Sequence, residues 1–358
     1  MPYQHPNFDR FSAMPKCTFI PAPEDHVLPD GFMCTTNFPT YVHTEQGWML
    51  AKNPRMDSHL VWVPEEETVY TKEFRCIRKG DRVAVAEAED GTEGVLVWEH
   101  AFQQEIEEEE AFGFMRSEVS REKPIDYSAI LDTFRRNRDE KGYIIWVIGP
   151  ALVHARGREA MEWIIKNGYA HAVLTGNAVA VHDVEAALFG STLGMKADGS
   201  GAAGGHSYHM RAINAVKKSG SIHNLVDADI LQTGIMHALC SHQIPYVLAG
   251  SIRDDGPLPE TITDALEAQA QMRVHTQKAT MVVMVATALH SIAVGNMLPT
   301  YCTRPDGTLD ELATICVDQT EFLVSKLKDR GTHQAFGIVT NAQDFMRLLQ
   351  IELAAQAE

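Results

Sequence analysis

The chain has too few cations to present a basic face to a polyanionic surface. Lysine and arginine number 31 against 48 aspartates and glutamates, giving a formal net charge of −17 over 358 residues. Nucleic acids and anionic membrane surfaces both need a basic face, so neither is expected as a partner. Long apolar runs are missing too: no stretch reaches the length that spans a bilayer, and the opening MPYQHPNFDR has no charged segment leading into an apolar one. A cytoplasmic location is the expectation. The six cysteines, at 17, 34, 76, 240, 302 and 316, form no CxxC pair and read as reduced, mostly buried thiols. Among 16 histidines the tightest cluster, His206-Ser-Tyr-His209, lacks the i, i+4 pairing of strong zinc motifs, and no metal is expected. The common dinucleotide fingerprint, a GxGxxG turn directly after a strand-like run, is not expected: GSGAAG (199–204) has the spacing but follows no apolar run.

What is present is an ordinary globular composition, 45% hydrophobic and 22% charged, with material for one large domain and a smaller one. Residues 1–125 read as a small β-rich domain. Leu60 to Val63, Thr68 to Ile77, Arg82 to Ala86 and Gly94 to Trp98 are strand-like runs separated by the turn signals PEEE, RKGD and EDGTEG. Three stretches there, PDGFMCTTNFPT (29–40), NPRMD (53–57) and AFGFMRSEVSREKP (111–124), mix aromatic or methionine bulk with short polar groups. Ordered loops that satisfy their own backbone groups would look the same. EIEEEE (105–110) reads as a solvated connector, and DYSAILDTFRRNRDE (126–140) as a helix with Asp126 as N-cap.

From residue 143 the texture changes, and 126–358 reads as a doubly wound, mostly parallel α/β domain. YIIWVIG (143–149), HAVLTG (171–176), PYVLAG (245–250), TMVVMVA (280–286), ATICVD (313–318) and AFGIVT (335–340) are near-continuous apolar runs. Strands covered on both faces have this composition. Between them lie helical segments, GREAMEWIIKNG, VHDVEAALFG, HMRAINAVKKSG, PETITDALEAQAQMRVH and EFLVSKLKDRG, several closed by a glycine C-cap.

The candidate active site is VLAGSIRDDGPLPET (247–261), where an apolar strand gives way to Arg253, Asp254 and Asp255 on a loop stiffened by Gly256, Pro257 and Pro259. Open parallel sheets bind ligands just beyond the carboxyl ends of their strands. An exposed turn with a surface ion pair is the competing reading. The cofactor signal lies in the last strands. Asp318 ends ATICVD, where a carboxylate accepts hydrogen bonds from ribose hydroxyls and repels a 2′-phosphate, which predicts NAD over NADP. Thr287, Ala288, Leu289 and His290 follow the preceding strand, with a helix N-terminus suited to a pyrophosphate. Asn177 and Ala178 form a similar small-residue turn, and Thr340 ends the last strand.

The strings PDGF..TTN.PT, N.RMD, AFGFM.SEVS, LTGNAVAVHDVEAALFG, GGH..H.RAINA, LAGSIRDDGPLPETITDA and ATALHSIAVGNMLP together resemble the NAD-dependent ornithine cyclodeaminase family of archaea. The same module forms the C-terminal part of cyanobacterial arginine dihydrolase/ornithine cyclodeaminases and a conserved region of the LOR/SDH proteins. The resemblance covers about residues 20–350 and implies an NAD-binding domain similar to that of deoxyhypusine synthase, a small β domain before it, and a homo-oligomer. It also implies that Asn37, Arg55, Asp57 and Glu118 complete a substrate pocket. The dihydrolase domain of the fused proteins has no counterpart here, so arginine hydrolysis is not expected.

Turning ornithine into proline and ammonia without net redox change needs a hydride taken from Cα by NAD and then returned. Such a site needs a cation for the substrate carboxylate, which Arg253 supplies as a bidentate fork. It needs an acid/base at the α-amine, for which Asp254 is the first candidate and His206 and His209 the second. Asp255 is placed near the nicotinamide ribose. Two rival classes remain at this level: an NAD-binding sensor without turnover, and an NAD-dependent amino-acid dehydrogenase that accumulates NADH.

Overall fold

The computed structural model describes residues 3–102, 127–154, 156–196, 200–202, 205–320 and 335–355. The chain divides into two compact units. Unit 1 is Met1–Ile130 with Pro299–Thr303 and Gly307–Glu311; unit 2 is Leu131–Leu298, Arg304–Asp306 and Leu312–Glu358. All six cysteines are free thiols, four of them buried. No described helix is long and apolar enough to cross a membrane.

Unit 1 holds β1 (Thr18–Pro21), β2 (Thr40–Thr44), β3 (Gly47–Leu50), β4 (His59–Val63), β5 (Thr68–Lys72), β6 (Arg82–Val85) and β7 (Val95–Val97). They form two antiparallel sheets, ordered β1-β6-β4-β5 and β3-β2-β7. Val42, Leu60, Val69, Ala84 and Val95 from five of these strands close one core. The run expected to be one strand from Thr68 to Ile77 breaks after Lys72. There Asp81 accepts both a bidentate contact from Lys72 and the Arg78 N–H, and a 3₁₀ turn at Phe74–Cys76 folds the chain back.

His59 sits inside this unit with both ring nitrogens buried and no hydrogen bond of good geometry, packed edge-on against Phe32 and Phe74. Burial pushes its imidazole below the ordinary value of 6.5, opposed only by the Met33 backbone. Above that value both folded and unfolded states are neutral and the histidine is without effect. As pH falls through it the unfolded chain takes up a proton that the folded chain refuses, so stability is lost until the folded value is passed. The urea midpoint of unit 1 should therefore drop between pH 7 and 5, and His59→Phe should flatten that drop. A wild-type midpoint that rises on acidification contradicts this.

Unit 2 is built on β8 (Ile144–Ile148), β9 (Ala172–Gly176), β12 (Tyr246–Ala249), β13 (Thr261–Ile262), β14 (Met281–Val285), β17 (Ala313–Asp318) and β18 (Ala335–Val339). The short ribbon β10 (Ser191–Thr192) and β11 (Met195–Lys196) also belongs to it, whereas the hairpin β15 (Tyr301–Thr303) and β16 (Leu309–Glu311) lies with unit 1. The seven strands run parallel in the order β13-β12-β9-β8-β14-β17-β18. All five residues of β8, β9 and β14 are buried, as continuous apolar strands covered on both faces require.

The described helices are α1 (Tyr127–Asp139), α2 (Pro150–His154), α3 (Arg158–Lys166), α4 (Asn177–Phe189), α5 (Tyr208–Ser219), α6 (Ile222–Asp227), α7 (Ile235–Ser241), α8 (Ala265–Thr276), α9 (Ala288–Gly295) and α10 (Ala342–Ala354). Gly190 and Gly220 end α4 and α5 in the left-handed conformation. The helix expected across 259–275 starts only at Ala265. Asp264 caps it through the Glu267 N–H at 2.8 Å, while Thr261 and Ile262 pair with β12 as an edge strand. The expectations for Asp126, EIEEEE, AFGFMRSEVSREKP and EFLVSKLKDRG lie outside the described residues.

The chain enters the sheet at β8, winds outward through β9, β12 and β13, then returns beside β8 at β14 and winds the other way. Dropping the edge strand β13 gives the 3-2-1-4-5-6 order of dinucleotide-binding sheets, with its switch between β8 and β14. A ligand crevice is expected at that reversal, because the chain leads away from β8 and from β14 in opposite directions along the sheet.

Candidate functional site

At the switch point the backbone comes unusually close. Gly149, one residue past β8, donates its N–H to Val285 at 3.0 Å, and a Cβ built on it would stand 1.9 Å from the Ala286 carbonyl oxygen. Ala286 itself is held at φ 58, a left-handed conformation that non-glycine residues enter at a cost of order 1 kcal/mol. Thr287 then caps α9, accepting the His290 N–H, and its hydroxyl also lies 3.3 Å from His290 Nδ1. Ala288 and Leu289 in the first turn of α9 are exposed. The His290 ring lies over the end of β9, where a Cβ on Gly176 would meet its Cε1 at 3.0 Å. Burial lowers the His290 pKa, and nearby Asp254 opposes that shift.

Asp254 thus belongs to the same neighbourhood. Its loop is locally tied: Asp254 Oδ2 accepts the Ser251 N–H at 2.8 Å, Ser251 Oγ accepts the Arg253 N–H, and the Asp254 N–H returns to the Ser251 carbonyl. Arg253 and Asp255 point into solvent on either side of it. Farther along, Asn177 at the start of α4 is buried, and its Oδ1 accepts from the Leu258 N–H and the Thr261 hydroxyl. That bond ties the RDDG loop to the end of β9, and Ala178 follows in the same turn. At the end of β17, Asp318 Oδ1 accepts both the Thr320 N–H and hydroxyl, and the Thr340 N–H bonds to the Asp318 carbonyl. Arg253, Asp254, Asp255, Asn177, Ala178, Thr287, Ala288, Leu289, His290, Asp318 and Thr340 therefore all stand at the carboxyl edge of one parallel sheet.

His206 lies in a 3₁₀ turn, Gly205–Ser207, and its side chain falls outside the described residues. His209 is in the first turn of α5, within electrostatic reach of Asp255. It packs 5.1 Å, ring to ring, from His182 on α4, and His182 packs 4.6 Å from His154 on α2. Glu185, one turn beyond His182, is fully buried and accepts the Leu193 and Gly194 N–H groups, each at 3.1 Å. Burial alone would raise the Glu185 pKa, but the hydrogen bonds from His182, Gly194 and Leu193 hold it below the usual carboxylate value. Burial and the facing His182 lower both His154 and His209. Sequence reasoning missed His154, His182 and Glu185. The signal was a histidine and a glutamate at i, i+3 within VHDVEAALFG, which only the packing of α5 on α4 completes.

Among the other candidates, Asn37, Arg55 and Asp57 are in unit 1. Thr35 stitches their two loops together, donating its hydroxyl to the Arg55 carbonyl at 2.7 Å and accepting the Asp57 N–H on its own carbonyl at 3.0 Å. The Arg55 guanidinium is already committed, to Glu73 at 2.8 Å and to the Met56 carbonyl. Glu118 lies outside the described residues.

Gly149→Ala tests the close approach at the switch point. The added methyl meets backbone, which cannot swing away, so a stability loss of about 1–3 kcal/mol is expected by urea denaturation. Gly168→Ala, where the built Cβ meets nothing within 4 Å although φ is +76, should cost less. Equal losses would mean that the β8 and β14 ends are free to part.

Known proteins bear out the architecture. Residues 128–349 match a family model described as arginine dihydrolase ArgZ-like, C-terminal, Rossmann fold, and residues 39–129 match the first region of the same C-terminal part. An ornithine cyclodeaminase of Methanopyrus kandleri is 44% identical over 339 residues, covering 93% of this chain and 77% of that protein. A solved LOR/SDH protein of Methanococcus maripaludis superposes with a TM-score of 0.86 at 40% identity, covering 96% of this chain and 100% of that one. The bifunctional arginine dihydrolase/ornithine cyclodeaminase AgrE of Nostoc is 35% identical over 93% of this chain but only 46% of its own length. A structure of AgrE in ternary complex with ornithine and NAD+ aligns at a TM-score of 0.60 and 32% identity, over 96% of this chain and 46% of that one. With the two matched regions meeting at residue 128 and running on through the parallel sheet, the chain is an enzyme of the ArgZ-like C-terminal family and a relative of archaeal ornithine cyclodeaminases.

Proposed function

We propose that this enzyme is an NAD-dependent ornithine cyclodeaminase that converts L-ornithine to L-proline and ammonia. The observation that carries the reading is the convergence of the Arg253-Asp254-Asp255 loop and the Thr287–His290 helix start on the carboxyl edge of one parallel sheet. The relative AgrE, solved with ornithine and NAD+, supports it. The residues fit the cofactor: the Gly149 and Gly176 strand ends leave no side chain in the crevice, α9 begins with the exposed Ala288 and Leu289, and Asp318 has a second carboxylate oxygen for ribose hydroxyls. Asp318→Asn should weaken NAD and narrow its preference over NADP, as read by titration. NADP bound as tightly as NAD by the wild type would refute the ribose assignment.

Bound NAD would supply the hydride acceptor for the substrate Cα and, once reduced, the hydride donor. The protein's own groups do the rest. Arg253 holds the substrate carboxylate, which fixes which face of Cα is presented. Asp254 takes the proton that the α-amine releases on oxidation to the imine, and returns it when the α-nitrogen departs as ammonia after attack by the δ-amine. His290, whose pKa burial lowers and Asp254 opposes, is the imidazole proposed to pass that proton on.

The test is to incubate the enzyme with catalytic NAD and ornithine deuterated at Cα, following ammonia, proline and NADH together. Proline that keeps the label at Cα, with no NADH build-up, is the expected result. One NADH per product would make the protein a dehydrogenase, and NAD binding without ammonia release from any basic amino acid would make it a sensor.

A further inference from the structure

The side chains behind the crevice are more numerous than proton transfer needs. One donor atom from each of His182, Glu185 and His209 lies within 4.8 Å of the other two, in a buried or half-buried setting. The contact between His182 Nδ1 and Glu185 Oε2 is 3.5 Å, long for a charged hydrogen bond. Two donors each about 2.1 Å from a tetrahedral ion stand about 3.4 Å apart, so that separation suits a shared cation better than a shared proton. His209 Nδ1 is enclosed and has no hydrogen-bond partner, which is costly for a polar atom away from water unless something fills the place. The Glu185 carboxylate is anchored from behind by the Leu193 and Gly194 N–H groups and by Ser191 Oγ at 3.3 Å, as ligating carboxylates are when a second layer of donors fixes them. His154 packs on His182 and supplies a fourth candidate donor.

We propose that His182, Glu185 and His209, with His154 beside them, bind one divalent transition-metal ion. Imidazoles with a single carboxylate and no thiolate favour zinc, cobalt or nickel over magnesium or calcium. The ion would clamp α4, whose first residue Asn177 holds the RDDG loop, to the start of α5.

Full-length protein stripped with a chelator is titrated with cobalt(II), followed by its visible absorption, and zinc is then used to displace it. Metal content after gel filtration gives the stoichiometry. One equivalent per chain, with an intense low-coordinate cobalt spectrum, is expected, and His209→Ala and Glu185→Gln should weaken binding by about 100-fold or more. His242→Ala, on the exposed end of α7, should bind as the wild type does. Circular dichroism checks that each variant folds, and His209→Gln replaces any that does not. Substoichiometric binding, or one equivalent that all the ligand variants retain, overturns the proposal.

Discussion

Asp183→Ala is expected to destabilise unit 2 by about 3–5 kcal/mol, the usual cost of leaving a buried ion without its partner. Asp183 is fully buried in α4, between His182 and Glu185, and faces away from them. Its Oδ1 binds Arg158 Nε at 2.7 Å and accepts the Ile235 N–H at 3.0 Å, while Oδ2 accepts the Met236 N–H at 2.8 Å. One carboxylate thus caps α7 and neutralises an arginine of α3. Gly234, at φ 111, completes the fit, because a Cβ there would stand 2.3 Å from Arg158 Nη2 and under 3 Å from both Asp183 oxygens. Alanine leaves two helix N–H groups unanswered and takes from a largely buried guanidinium its shortest partner, leaving it only the Thr233 hydroxyl at 3.1 Å and Glu162 at 3.8 Å. Asp183→Asn keeps the shape and one acceptor and should recover part of the loss. Urea midpoints for the two variants check this. A loss for Asp183→Ala no larger than that of an exposed residue would mean that water enters and solvates the pocket.

That network also shows what the sequence can and cannot disclose. The six long strands of the parallel sheet were legible because burial on both faces demands short unbroken runs such as IIWVI and MVVMV, whereas the two-residue strands β10, β11 and β13 carry no such run. The strands TYVHT and GWML were not, since each mixes polar residues into a short run, and half of what defines them is a partner distant in the chain. The hairpin Tyr301–Glu311 was invisible for the same reason: it lies between two strands of unit 2 yet belongs with unit 1, where the Thr300 N–H bonds to the Asn37 carbonyl. Within the candidate site, strand ends and glycine turns could be read locally, so Arg253, Thr287 and Asp318 could be placed at the carboxyl edge of the sheet before the strand order was known. Gly149 was passed over because its role depends on β14 lying beside β8, which is a property of strand order. Asp183 and Glu185 were hidden by their helix: at that spacing they look like a solvated acidic face, and only the structure shows both at full burial.

Arg253→Lys should lower kcat/KM for ornithine by a factor on the order of ten to a thousand while leaving NAD affinity and stability nearly unchanged. The contrast with Asp183 rests on exposure. Arg253 stands in solvent on a loop whose shape is set by Ser251 and Asp254, and its backbone N–H, not its side chain, takes part in that turn. Among the described residues no carboxylate lies within ion-pair distance of its guanidinium, so removing the fork deprives the fold of nothing. A lysine keeps the charge but presents one point of attachment where the planar guanidinium presents two, and a carboxylate held at one point is free to rotate. Rotation there turns Cα away from the hydride acceptor, so the loss should fall on kcat as well as KM. Steady-state kinetics with ornithine, paired with NAD titration and a urea midpoint, separates the outcomes. A parallel fall in NAD affinity would move Arg253 to the cofactor, and an unchanged kcat/KM would hand the substrate carboxylate to another cation.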